Sequence, residues 1–172
     1  MEDFEKFDIV FYMTHEQAGI ACYREEYNKI SLFEYDGMYV KKIEPDLPNM
    51  VCTQVLYYGE TLGVKEKMQF LKYGGVGIGV KEFYNEDGTL NHTEDLDKHF
   101  PITWAQMEEI LKDQDISLLL IYSIFRYYDK EKNTATWSII IHLPMQKGCL
   151  YVFDARTGEL LNKQILDISL KM

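Results

Sequence analysis

The chain has 172 residues, 47% of them hydrophobic, and a formal net charge of −10 at pH 7. That length suits one domain, or two small subdomains, with enough core to fold without disulfide staples. Excess negative charge opposes a phosphate backbone, which argues against nucleic acid as a ligand. The three distant cysteines, Cys22, Cys52 and Cys149, match neither a disulfide framework nor a zinc spacing.

The first residues, MEDFEKFDIVFYM, are acidic where a secretory leader would begin basic. The longest apolar run, residues 116–125, is shorter than a bilayer requires. These two features predict a cytoplasmic chain without a membrane span, unless a leader preceded it. Residues 8–13 read as a strand. Thr14, with Gln17 three places on, has a capping-box spacing that allows a short helix. Residues 27–37 alternate like a hairpin arm.

The segment KYGGVGIGVKEFYNEDGTL raises the possibility of a phosphate loop. Gly75 and Gly77 fit two places of a dinucleotide fingerprint, but Val80 occupies the third and no Gly-Lys-Ser/Thr follows. Its pattern instead predicts a strand with Val76, Ile78 and Val80 on one face and Gly77, Gly79 and Lys81 on the other. The glycines would then allow a bulge or close backbone approach, and Asp87-Gly88 would close a hairpin. The same punctuation, aromatics before a glycine turn, recurs at Tyr35, Tyr58 and Tyr84, which lie 23 and 26 residues apart. Such an interval predicts stacked hairpin units.

Thr103 and Gln106 form a second capping box, predicting a helix within residues 100–114. Trp104, Met107 and Leu111 share its apolar face, opposite Glu108, Glu109 and Lys112. Strands are expected over residues 118–128 and over TWSIIIHL, where Trp137, Ile139, Ile141 and Leu143 align. Two more flank the Thr157-Gly158 turn, the last ending near Ile165. The fold class expected is α+β, mainly antiparallel β: stacked hairpins over residues 1–99, then a helix and a short antiparallel meander over 100–172.

Gly77, Gly79, Lys81, Tyr84, Gly88 and Leu90 resemble the strand-and-turn unit of the degenerate MORN-repeat proteins of bacteria, over about residues 30–95. The tryptophan common in that strand is missing. Residues about 100–168 resemble a PepSY-like domain through Trp137, Tyr151, Phe153, Asp154, Thr157, Gly158, Glu159 and Leu160. The first resemblance implies a protein-binding role, since some such proteins are catalogued as antitoxins; the second implies regulation by binding.

No nucleophile-and-base or metal-ligand pattern stands out among His15, His92, His99 and His142 and their neighbours, and no cofactor is expected. The first 100 residues carry 19 acids against 10 bases, and the remainder 9 against 8. An acidic half rich in tyrosine suits a face that binds a basic toxin or effector, although the same composition also suits a solvated surface and a tyrosine-rich core. The candidate partner-binding residues are Tyr57, Tyr58, Tyr73, Tyr84, Glu94, Asp95 and Asp97. The reading is a non-enzymatic protein-binding module, an acidic antitoxin- or immunity-type inhibitor. A structural or envelope-associated module stays open, as does a small enzyme or ligand-binding domain with its site between the halves.

Overall fold

The computed structural model describes residues 5–167. Helix α1 (Ile9–His15) stands where a strand was expected. Asp8 accepts the Phe11 amide at 2.9 Å and caps its start. Thr14 lies in the last turn, its hydroxyl donating back to the Val10 carbonyl at 2.8 Å, so it caps nothing. The helix forms because Ile9, Phe11 and Tyr12 pack on the aromatic cluster around Phe7 and Tyr57. Local alternation could not reveal that contact. Ala18 and Gly19, both at positive φ, then turn the chain into a strand where a helix had been allowed.

Seven strands follow: β1 (Ile20–Glu25), β2 (Asn28–Tyr35), β3 (Met38–Pro45), β4 (Val51–Tyr57), β5 (Val64–Leu71), β6 (Gly77–Tyr84) and β7 (Leu90–Asp95). They form one sheet in sequence order. Asp36 and Gly37, both at positive φ, make the two-residue turn between β2 and β3 that right-handed strand twist favours. The recurring tyrosine now has a structural meaning. Tyr35 and Tyr84 end β2 and β6, and Tyr58 follows β4 directly, so each interval spans two strands and their turns. Neighbouring turns touch: a side chain at Gly59 would meet the Gly37 carbonyl, and the Tyr58 hydroxyl donates to the Tyr84 carbonyl at 2.8 Å.

The β6 alternation holds at Ile78, which is buried, and fails at Val80, which is 53% exposed. Gly79 has φ +68 and interrupts the period of two, so Val80 leaves the face expected for it. Asn85, Asp87 and Gly88 close the β6–β7 hairpin as expected, with the Gly88 amide donating to the Asn85 carbonyl at 2.9 Å.

By its contacts the chain divides into two units. One takes in the described residues up to Lys72 with Gly79–Leu96; the other takes in Tyr73–Ile78 with the described residues from Asp97 onward. In the second, α2 (Trp104–Asp113) carries the Thr103–Gln106 capping box and buries Trp104, Met107 and Leu111, as its spacing predicts. Residues Leu118–Leu120 make a 3-10 turn, so β8 (Ile121–Asp129) begins later than expected. With β9 (Thr134–Leu143), β10 (Lys147–Asp154) and β11 (Leu160–Asp167) it forms a four-stranded antiparallel meander. The Trp137 indole donates to the Ile102 carbonyl at 3.1 Å, and Trp104 lies 5.9 Å from it, so the helix end covers the Trp137 face. The β10–β11 turn is built by Asp154, whose carboxylate accepts the Arg156 and Thr157 amides at 2.7 and 2.9 Å. These donors hold its carboxyl below the usual range.

The described residues are thus mostly antiparallel β with two short α-helices. Among the described residues no helix is long and apolar enough to cross a membrane.

Candidate functional site

In the first unit the chain ahead of α1 runs beside the β4–β5 turn: the Phe7 amide donates to the Leu62 carbonyl at 2.9 Å, and Lys6 pairs with Gly63. This places Glu5 over Tyr57. Together with the β6–β7 turn these segments enclose a cleft of about 560 Å³, lined by Glu5, Lys67, Tyr84, Glu86 and Asp87 among others. Its size falls within the range of small-ligand sites.

Glu5 Oε1 accepts the Tyr57 hydroxyl at 2.8 Å and the Lys41 ammonium at 3.2 Å. Burial pushes the Glu5 carboxyl up, but these donors and the charges of Lys41 and Lys67 outweigh it, leaving the group below the usual range. Burial first, then the Glu5 bond, pushes the Tyr57 phenol far up. The Tyr84 hydroxyl donates to Glu82 at 2.9 Å and is raised by burial and by that carboxylate. Both phenols are therefore donors held protonated, a state suited to hydrogen bonding and unsuited to nucleophilic attack.

The candidate residues separate into three places. Tyr84 lines the cleft. Tyr58 reaches it only through its bond to the Tyr84 carbonyl and Tyr57 only through Glu5. Tyr57, 1% exposed, cannot meet a protein partner. Glu94 and Asp95 are exposed on β7, every residue of which is exposed. Tyr73 and Asp97 belong to the second unit, where both are engaged internally. The Tyr73 carbonyl accepts the Ile124 amide at 3.0 Å. Asp97 pairs with Arg126, whose side chain is 8% exposed and also donates to the Gly77 carbonyl. Its guanidinium lies 4.3 Å from the Phe100 ring and 5.1 Å from that of Trp137. The Asp97 charge thus compensates a buried cation.

Sequence reasoning missed Glu5, Lys67 and Glu86. Glu5 and Tyr57 are 52 positions apart, and no local pattern links them. The histidines each rest on a ring: His15 on Phe11, His92 on Phe83, His99 on Tyr128 and His142 against Tyr122. Among the described residues no three His, Cys, Asp or Glu side chains are grouped to hold a metal ion.

No family model and no curated protein matches the chain. A solved protein of Bacteroides eggerthii DSM 20697, described as periplasmic, is similar over 97% of this chain and 94% of its own, with 14% identity and a TM-score of 0.32. The cytoplasmic expectation disagrees with that neighbour's description and is withdrawn. At this score the likeness assigns the chain neither a fold nor a compartment.

Proposed function

We propose that the chain is a protein-binding module that neutralises a basic partner, an antitoxin- or immunity-type inhibitor. The observation that carries this reading is β7, a terminal strand exposed at every position and bearing Glu94 and Asp95, in a half of the chain with 19 acids against 10 bases. Such a field speeds encounter with a cationic surface, and exposed acids on a rigid strand give it a defined place to land. The two-strand interval ending in an aromatic before each turn supports a MORN-like first unit. A helix over a four-stranded meander, with the Asp154–Gly158 turn, supports a PepSY-like second unit.

The test is affinity capture from the native cells with the whole chain as bait, at low and at moderate salt. A single basic protein retained at low salt and released as salt rises is the expected result. Retention of nothing, or binding indifferent to salt, removes the reading.

The cleft beside Glu5 favours a second reading, a small-ligand site contained in the first unit. Amide shifts at Gly63, Tyr84 and Gly88 on titration with a polar fragment set would support it. Their absence across the set would remove it.

A further inference from the structure

Sheets end in strands whose outward backbone groups invite pairing, and proteins blunt such edges with covering segments, bulges, prolines or charged side chains, lysine above all. Four strands end the two sheets here: β1, β7, β8 and β11. Beside β1 lies α1, whose Phe11 ring packs edge-on against Tyr23 at 4.9 Å. Residues Tyr73–Ile78 bond to β8 through Tyr73 and Ile124, and Gly74 approaches the Ile124 carbonyl so closely that no side chain would fit there. Strand β11 carries Lys163 near its middle. Strand β7, Leu-Asn-His-Thr-Glu-Asp, has no lysine, arginine or proline and is exposed along its whole length.

The register identifies the groups that β7 offers. The Leu96 amide donates to the Gly79 carbonyl at 2.9 Å, and the same register continues through Lys81↔Glu94 and Phe83↔His92. Bonded pairs alternate along an antiparallel ladder, so Glu94 and His92 direct their backbone groups at β6. Thr93, opposite Glu82, directs its amide and carbonyl outward.

We infer that β7 is the docking edge of the protein, and that an extended segment of the partner adds to it as an eighth strand. This rests on the protein-binding reading and names its mode. Main-chain bonds to Thr93 supply the pairing, and a lysine or arginine of the incoming strand sits beside Glu94. The partner is therefore a protein presenting an extended basic segment.

Whole-chain baits carrying Thr93→Pro, Glu94→Lys and the β11 control Lys163→Glu are compared with the native bait. Proline at position 93 removes only the outward amide, which the β6 ladder does not use. Retention of the salt-sensitive partner should fall at least about tenfold for the first two and hold for the third. In the native complex, hydrogen exchange at the Thr93 amide should slow while that at Lys163 stays unchanged. This measurement decides the matter even if Thr93→Pro fails to fold. If the partner stays on both variants and the Thr93 amide exchanges at its free rate, the docking edge is wrong while the binding reading survives. If the native bait captures no salt-sensitive partner, both fall.

Discussion

Replacing Arg126 by methionine keeps much of its bulk against Phe100 and Trp137 but leaves the Asp97 carboxylate without that cation and the Gly77 carbonyl without that donor. The two side chains are 8% and 22% exposed, so solvent repays little of the loss. Removing one partner of such a buried pair costs about 3–5 kcal/mol. For a chain of this length that is a fall in Tm of roughly 6–20 °C. Both tryptophans of the chain, Trp104 and Trp137, are buried in the second unit, so tryptophan emission reads this unit alone. Asp97→Asn alone should destabilise less, since an amide still accepts from the guanidinium. The double variant should cost less than the two single costs added, with a coupling of about 1–3 kcal/mol. Asp97→Asn should leave capture of a partner unchanged. A cost below about 1 kcal/mol for Arg126→Met, with coupling under about 0.5 kcal/mol, would refute the assignment of Asp97 to internal charge compensation.

Tyr57→Phe should lower stability by about 0.5–1.5 kcal/mol in urea denaturation and raise the Glu5 pKa, read by carboxyl NMR. Glu5 is held below its unfolded value, so its contribution is whole above the ordinary glutamate range and fades as pH falls below about 4. Glu5→Gln should therefore flatten the acid limb of the stability-versus-pH curve, and an unchanged limb would count against the bond. Gly74→Ala, at φ +109 and against the Ile124 carbonyl, should cost more than about 2 kcal/mol, whereas Gly75→Ala, at φ +65 in open space, should cost only about 1 kcal/mol by tryptophan-monitored melting. Thr103→Ala should cost about 1 kcal/mol through loss of the α2 cap, measured the same way.

Much of the second unit was legible residue by residue. Thr103 with Gln106, the Trp104–Met107–Leu111 stripe and the alternation of Trp137, Ile139 and Ile141 all stand as their spacing predicts. Each is a short-range pattern with one dominant physical cause. The opening segment was misread because the hydrophobic residues from Ile9 to Tyr12 suit a strand as well as a short helix, and the arbiter is the distant ring cluster at Tyr39 and Tyr57. Val80 was misplaced because one glycine at positive φ resets the alternation. Of the candidate tyrosines, composition marked the residue type but not the division into buried Tyr57, cleft-lining Tyr84 and Tyr73 of the other unit. Glu5 carried no signal at all.

By itself the sequence determined most element types beyond the opening segment, the later glycine turns and the acidic bias of the first half, because periodicity, capping and φ preference act over a few neighbours. Tertiary structure alone decided which carboxylate meets Tyr57, that Asp97 faces Arg126, and which strands end the two sheets. Those outcomes depend on contacts between residues tens of positions apart, whose free energy exists only once the strands have taken their order.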